Sequence, residues 1–301
     1  MKELQLTIHG EHYILISDYK DNDGYRLGLN RLVKKTFAFD FEDWYQGGYW
    51  RGRYIPYSLL HKDELVANVS VSIHDYLVDG VKKTYLQIGT VVTEEEYRGK
   101  GLSRVLMENI LKEYEGLELI YLYANDSVLE FYPRFGFVAG KEFVHSKLAQ
   151  KSGKQMPYRK LDMDSELDRG LLLQLAANTL PMARISMLDN PGLPMFYLTK
   201  FMRDNIYYFE ELQLAAVAEL EGDTMVLTDI FTIKEFALED VICSLMDRPT
   251  MRVVLGFTPR ETEGYDCEPI AEEGSTFFVR SMGTDCSTPL GHGRFPILSH
   301  T

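Results

Sequence analysis

An α/β fold is predicted for this chain of 301 residues by three observations. Tyr85 to Thr93 (YLQIGTVVT) is dense in β-branched and aromatic residues and short enough to be a strand. Leu102, Val105, Leu106, Ile110, Leu111 and Tyr114 then recur at helical spacing, while Arg104, Glu108, Lys112 and Glu113 occupy the other positions, so an amphipathic helix follows. Leu119 to Tyr123 (LIYLY) is a second short apolar run, the next strand.

The joints between these elements are also written in the residues. Glu94-Glu95-Glu96 marks the turn after the first strand, and Gly116 ends the helix. Asn125-Asp126-Ser127 suits the start of a short helix carrying Val128, Leu129, Phe131 and Tyr132, which stops near Pro133 and gives way to Gly136-Phe137 and a further β-like run. Upstream, Tyr13 to Tyr19 reads as a strand, Tyr25 to Phe37 as a helix, and Tyr54 to Ser58 with Leu65 to Ile73 (LVANVSVSI) as early strands.

The turn Arg98-Gly99-Lys100-Gly101-Leu102-Ser103 points to chemistry. A helix start leaves about four backbone N–H groups unpaired and carries partial positive charge, so an anion can settle there, and glycine lets it approach because no Cβ stands in the way. The hexapeptide does not fit the nucleotide P-loop pattern, which wants Gly-x-x-x-x-Gly-Lys-(Ser/Thr).

Together with the residues downstream, this turn resembles the GNAT superfamily of N-acetyltransferases. The family's (Gln/Arg)-x-x-Gly-x-(Gly/Ala) pyrophosphate loop is matched by Arg98 and Gly101, with Ser103 where glycine or alanine is usual. Its Asn-x-x-Ala-x-x-x-Tyr-x-x-x-Gly-Phe pattern is matched by Asn125, Tyr132, Gly136 and Phe137, with Val128 in place of alanine. The resemblance runs from about Tyr13 to about Lys147. It implies a mixed, mostly antiparallel central sheet flanked by helices, with a bulge that splays the fourth strand from the fifth.

The resemblance also implies acetyl-CoA as co-substrate, a primary amine of a small molecule or peptide as acceptor, and direct attack in a ternary complex. Backbone donors at Val91, Val92 and Thr93 would hold the pantetheine arm. Arg98, Gly99, Lys100, Gly101, Leu102 and Ser103 would hold the pyrophosphate, and Asn125 would orient the pantetheine or cap its helix. Tyr132 would protonate the coenzyme A sulfur; the bland alternative is a place in the aromatic stripe with Phe131 and Phe135. An acyl thioester is already activated, so positioning, oxyanion stabilisation and leaving-group protonation suffice, and no metal is expected. No general base is assigned among Glu94, Glu95, Glu96, Gln87 and His74; His74 is read as an exposed strand-end histidine. A contrasting reading is a non-catalytic acyl-CoA binding or sensor protein, which would have no need of Tyr132.

The aromatic segment Phe37, Phe39, Phe41, Trp44, Tyr45, Tyr49, Trp50, Tyr54 and Tyr57 has two readings, an acceptor-site wall or core. If Trp44 or Trp50 meets the acceptor, its loss raises KM; if it is core, its loss lowers stability.

Length corresponds to about two average domains. Lys147 to Tyr158 (KLAQKSGKQMPY) is polar and basic and suggests a boundary, giving an acetyl-CoA-binding domain over 1–150 and a second domain over 151–301. In the second half, Tyr158 to Asp162, a helix over Leu167 to Asn178, a hairpin from Leu212 to Thr232, a helix over Leu238 to Met246 and a strand from Arg252 repeat the order of the first. Ile233 to Phe236 (IKEF) stands where the glycine turn should be, so this half reads as a degenerate GNAT-like domain, with an unrelated α/β domain as the alternative. It would complete the acceptor site or act as a pseudo-dimer. Gly291 to Thr301 reads as an irregular tail.

Formal net charge is −13, with no extended Lys/Arg cluster, which argues against nucleic acid. The acidic excess favours a cationic acceptor such as a polyamine, an aminoglycoside or a lysine-bearing peptide. No apolar run approaches the roughly 18 residues of a membrane span, and a cytoplasmic protein is expected, with a homodimer open to it. Cys243, Cys267 and Cys286 are too widely spaced for a zinc cluster and read as reduced and structural.

Overall fold

A computed structural model of the chain describes residues 1–151, 153–271, 274–281 and 288–301. In chain order its elements are strands β1 (Lys2–Ile8) and β2 (Glu11–Ser17), helices α1 (Asp23–Phe37) and α2 (Glu42–Gln46), and strands β3 (Tyr54–His61), β4 (Glu64–Val78) and β5 (Val81–Thr93). Helix α3 (Leu102–Glu113), β6 (Leu119–Ala124), β7 (Val138–Ala139), β8 (Phe143–Gln150) and β9 (Arg159–Lys160) follow. The second half continues with α4 (Glu166–Ala177), β10 (Ile185–Leu188), α5 (Gly192–Leu198), β11 (Ile206–Phe209), β12 (Leu214–Glu221) and β13 (Thr224–Thr232). It closes with α6 (Leu238–Leu245), β14 (Thr250–Leu255), β15 (Asp266–Pro269) and β16 (Thr276–Ser281).

Among the described residues the strands form two sheets. The first runs β1-β2-β3-β4-β5-β6-β16-β7, with β10 paired to the far end of β4; the second runs β15-β8-β14-β13-β12-β11-β9. Antiparallel pairing dominates both, and each contains one parallel pair, β5 with β6 and β13 with β14. The mixed, mostly antiparallel sheet flanked by helices is therefore present, and a second sheet of the same kind follows it.

The sheets share the chain by exchange. β8, on residues 143–150, belongs to the second sheet, while β10 and β16 from later in the chain pair with β4 and with β6 and β7 in the first. Lys147 to Gln150, read as linker, lie in β8, because His145, Ser146 and Ala149 are buried against β14 and β15. The largest core cluster likewise joins Leu32, Phe41 and Trp50 of the first half to Leu172, Met195 and Phe231 of the second.

Trp44 and Trp50 lie in that core, 5% and 3% exposed, with their rings stacked at 5.4 Å and 15°. Trp44 Nε1 donates to the Gly192 carbonyl at 2.7 Å and Trp50 Nε1 to the Tyr54 carbonyl at 2.8 Å, so both indoles are satisfied without solvent. The acceptor-wall reading fails for these two tryptophans. Gly192 lets the two halves approach: an added Cβ would stand 1.9 Å from the Tyr49 carbonyl oxygen.

Three further expectations are corrected. The segment after Asn125 is not a helix but two short 3₁₀ turns, Asp126–Val128 and Tyr132–Phe135, since Pro133 lies within the second and supplies no N–H. His74 is fully buried inside β4, which runs on to Val78 because β10 covers its last residues. Residues 291–301 are not a loose tail: Phe295, Leu298 and Ser299 are fully buried, and the Phe295 ring stacks on Tyr121 at 4.2 Å.

Candidate active site

β5 pairs in parallel with β6 through Leu86, Gln87 and Ile88, matched to Ile120, Tyr121 and Leu122, and the pairing stops there. On its other side β5 keeps its register with β4 only by a bulge: Ser70 faces Gly89, and Asn68 faces Val92. Thr90, inside the bulge, has φ +48°, a conformation few non-glycine residues adopt. From Gly89 onward β5 therefore turns away from β6, leaving its main chain open on that side.

A buried polar network holds the bulge in place. Asn68, with no exposed surface, donates from Nδ2 to the Thr90 carbonyl at 2.8 Å and to Ser70 Oγ at 2.9 Å, and accepts from Ser58 Oγ at 2.8 Å. Ser58 Oγ in turn meets the Tyr19 hydroxyl at 2.6 Å, and the Tyr54 hydroxyl donates to Thr90 Oγ1 at 2.7 Å. Asn68 was not legible as a functional residue, because a polar residue inside LVANVSVSI looks like an ordinary strand alternation. Asn68→Ala is expected to deprive the Thr90 carbonyl of its side-chain donor and leave Ser58 Oγ with Tyr19 alone, costing about 1–3 kcal/mol. The loss should appear as a lowered Tm together with a raised KM for the ligand that pairs with β5.

The glycine turn sits directly beyond the bulge. Gly99 and Gly101 have φ +76° and +74°, and a Cβ on Gly99 would meet nothing within 4 Å, so the turn borders open space. Gly101 is the N-cap of α3 and no side chain caps the helix, leaving its first amides available. Ser103, the departure from the usual glycine or alanine, bonds through Oγ to Thr93 Oγ1 at 2.7 Å and ties the turn to the open strand.

Between these parts lies a cleft of about 850 Å³. Val91, Val92, Thr93, Arg98, Gly99, Gly101, Leu102, Ser103, Asn125 and Tyr132 all line it. Lys100 does not; its ammonium lies over the Tyr97 ring, 4.5 Å from the centroid. Thr36 and Phe37 in the last turn of α1, with Phe39 just beyond it, form part of its wall, so the aromatic segment contributes two rings here while its tryptophans stay in the core. The lining holds Arg98, Arg104 and Arg134 and no Asp or Glu side chain, a cationic cleft in a chain of net charge −13. Such a reversal of local charge favours a polyanionic ligand.

Tyr132 is 5% exposed, its ring packed against Phe131, Phe137 and Phe278. Among the described residues its hydroxyl has no hydrogen-bond partner, and burial pushes the phenol up to about 12, so it carries its proton throughout the neutral range. Asn125 does not cap through its side chain; it accepts from the Ser127 hydroxyl.

None of the five residues weighed as a base lines the cleft. Glu94 pairs with Lys35 at 2.6 Å, and Glu95 and Glu96 are exposed at the far turn. Burial holds His74 down at about 3, so its imidazole is neutral and weakly basic at neutral pH. Gln87 Nε2 donates to the Thr301 carbonyl at 3.3 Å. Thr301 is the one lining residue contributed from beyond residue 150 among those described, held there by the Tyr197 hydroxyl donating to the preceding His300 carbonyl at 2.9 Å.

Cys243 is buried and Cys267 exposed, both as free thiols; Cys286 lies outside the described residues. No helix among the described residues is long and apolar enough to cross a membrane.

Comparison with known proteins agrees with this geometry. Residues 27–137 match the acetyltransferase (GNAT) family. Among solved structures, the chain is similar to a conserved protein of unknown function from Enterococcus faecalis V583, described as a probable N-acyltransferase, with TM-score 0.57 at 13% identity over 89% of this chain and 72% of that one. It is also similar to a GCN5-related N-acetyltransferase from Kribbella flavida (TM-score 0.53, 17% identity, 89% and 71% coverage) and to Eis1 from Mycobacterium abscessus (TM-score 0.54, 10% identity, 87% and 72%). At these identities the structures speak for the fold, and their coverage extends it across both halves. No curated protein matches the chain significantly. The splayed strand, the uncapped glycine turn and the sequence match lead to one assignment, confined to the matched part of the chain: residues 27–137 belong to an acetyltransferase domain of the GNAT family, a family of acyl-transfer enzymes.

Proposed function

We propose that this protein is an N-acetyltransferase that moves an acetyl group from acetyl-CoA to a primary amine of a small molecule or peptide. The observation that carries the reading is the cleft itself, where an open strand edge, an uncapped helix start and three arginines meet beside a buried, protonated tyrosine. Acetyl-CoA fits those parts in order. Its pantetheine arm would pair with the main chain of Val91 to Thr93, and its pyrophosphate would settle on the amides of the turn from Arg98 to Ser103.

In the reaction the neutral amine attacks the thioester carbonyl, a C–N bond forms and the C–S bond breaks. The thiolate takes its proton from Tyr132, whose raised pKa keeps it a donor at neutral pH, and the proton that the nitrogen sheds as the amide forms passes to solvent, from which the phenolate is reprotonated. The positive cleft belongs to the donor side; a cationic acceptor would be attracted by the acidic surface elsewhere. We infer further that the second half completes the acceptor side, because it delivers Thr301 to the cleft, against Gly89.

Thiol release from acetyl-CoA, measured with spermidine, an aminoglycoside and a lysine-bearing peptide, tests the proposal. An amine-dependent rate is expected. Tyr132→Phe should lower kcat by about 10²-fold while leaving acetyl-CoA affinity unchanged, since the hydroxyl acts only as the leaving group departs. Tight acetyl-CoA binding with no turnover on any amine, and no effect of the phenylalanine variant, would instead mark a binding protein.

A further inference from the structure

The second sheet repeats the opening that makes the cleft. β13 pairs in parallel with β14 from Thr224 to Leu227, ending at Leu227 opposite Leu255, as β5 and β6 end at Ile88 opposite Leu122. β12 and β13 carry a bulge at the same place: Val217 faces Asp229 and Ala218 faces Leu227, leaving Thr228 unpaired. Counting from the last parallel pair, Asp229 stands where Thr90 stands in the first sheet.

Here, however, the chain fills much of the gap. The Leu180 N–H donates to the Thr232 carbonyl at 2.7 Å, the Arg184 N–H donates to the Thr258 carbonyl at 3.0 Å, and Ala183 bridges to Pro259. What remains is a cavity of about 120 Å³, with Met182, Met187, Ile230, Phe231 and Phe257 among its apolar lining. That volume is of the order that admits a benzene ring.

Two carboxylates line this cavity, Asp229 and Asp189, and no Lys, Arg or His does. Asp189 lies 3.9 Å from Lys82. Asp229 has no ion-pair partner among the described residues; its one hydrogen bond comes from the N–H of the adjacent Ile230 at 2.8 Å. Burial pushes its carboxyl up to about 7, the behaviour of an acid that lacks a counter-charge. Asp229 is half-buried, so its carboxylate can be reached from the cavity, and an unpaired carboxylate against apolar side chains is costly; a cation arriving with its own apolar body would lower that cost while filling the cavity.

We propose that this cavity is a second binding site, distinct from the acyl-transfer cleft, for a small organic ammonium ion with an apolar body, and that Asp229 is its counter-ion. The two openings share no lining residue. The ligand class follows from the lining: the methionine, isoleucine and phenylalanine side chains suit an apolar body, and the Asp229 carboxylate, without a cationic partner, selects an ammonium over a neutral molecule of equal size.

The test uses the full chain with methyl-labelled methionine and two probes of similar shape, benzylamine and benzyl alcohol. Met182 and Met187 line the cavity and not the cleft, so their methyl resonances locate binding. Benzylamine is expected to shift both, with affinity about tenfold or more above that of benzyl alcohol. Asp229→Asn, which keeps an oxygen for the Ile230 N–H, should abolish that preference and leave the alcohol's affinity unchanged. Equal affinity for the two probes, absence of shifts at these methyls, or a preference that survives Asp229→Asn would overturn the proposal. Ala177→Phe, at the exposed end of α4 on the cavity rim, provides a second variant should the first fail to fold. Loss of the benzylamine shifts in that variant supports the site, and their persistence refutes it.

Discussion

Gly101→Glu is expected to weaken acetyl-CoA binding by at least about 100-fold, read by calorimetric titration beside the wild-type protein. Two effects add. Gly101 has φ +74°, where an L residue costs roughly 1–2 kcal/mol. The new carboxylate would also stand at the start of α3, facing the pyrophosphate; a like charge about 5 Å away costs on the order of 3 kcal/mol at an effective dielectric near 20. The repulsion alone corresponds to about two decades in Kd. Gly52→Ala is the control, because Gly52 has φ +75° but lies outside the cleft lining. It should bind acetyl-CoA as the wild type does. Undiminished binding in Gly101→Glu would move the donor away from this turn.

Trp44→Ala should cost about 3–5 kcal/mol of stability, the range for removing a buried large aromatic side chain. The indole is sandwiched among Phe41, Trp50, Tyr54 and Phe196, and its removal also leaves the Gly192 carbonyl without its donor. Thermal and denaturant unfolding would register the loss, whereas KM for any amine should stay near the wild-type value in the fraction that remains folded. A raised KM with unchanged stability would return Trp44 to the acceptor wall.

The parts of this molecule that follow a local rule were legible in its residues. β5, the glycine turn and α3 follow from β-branched density, two glycines and a 3.6-residue period, each of which acts over a few neighbours. The hairpin of β12 and β13 and the helices α4 and α6 were readable for the same reason. Asn125 to Phe135 was misread because its capping residues invite a helix, while Pro133 and a following left-handed Gly136 restrict it to 3₁₀ turns. His74 was misread as a strand end because β4 runs on past it, paired with β10 from far along the chain, and the 291–301 segment because Phe295 packs on the distant Tyr121. Asn68 shows the same limit inside the site. Its role depends on Thr90, opposite it across a bulge that no short-range pattern announces.

The exchange of strands between the sheets also governs when the protein can become itself during synthesis. β6 finds its parallel partner β5 early, but its other edge is covered by β16, whose residues 276–281 emerge only after everything between β6 and β16 has been made. Until then the nascent chain carries an unpaired edge beside the very strand that borders the cleft, and contacts of such sequence separation are slow to close. A ribosome pausing in the second half would thus hold the first half unfinished, with the aggregation hazard on the side of β6 opposite the opening that takes the ligand.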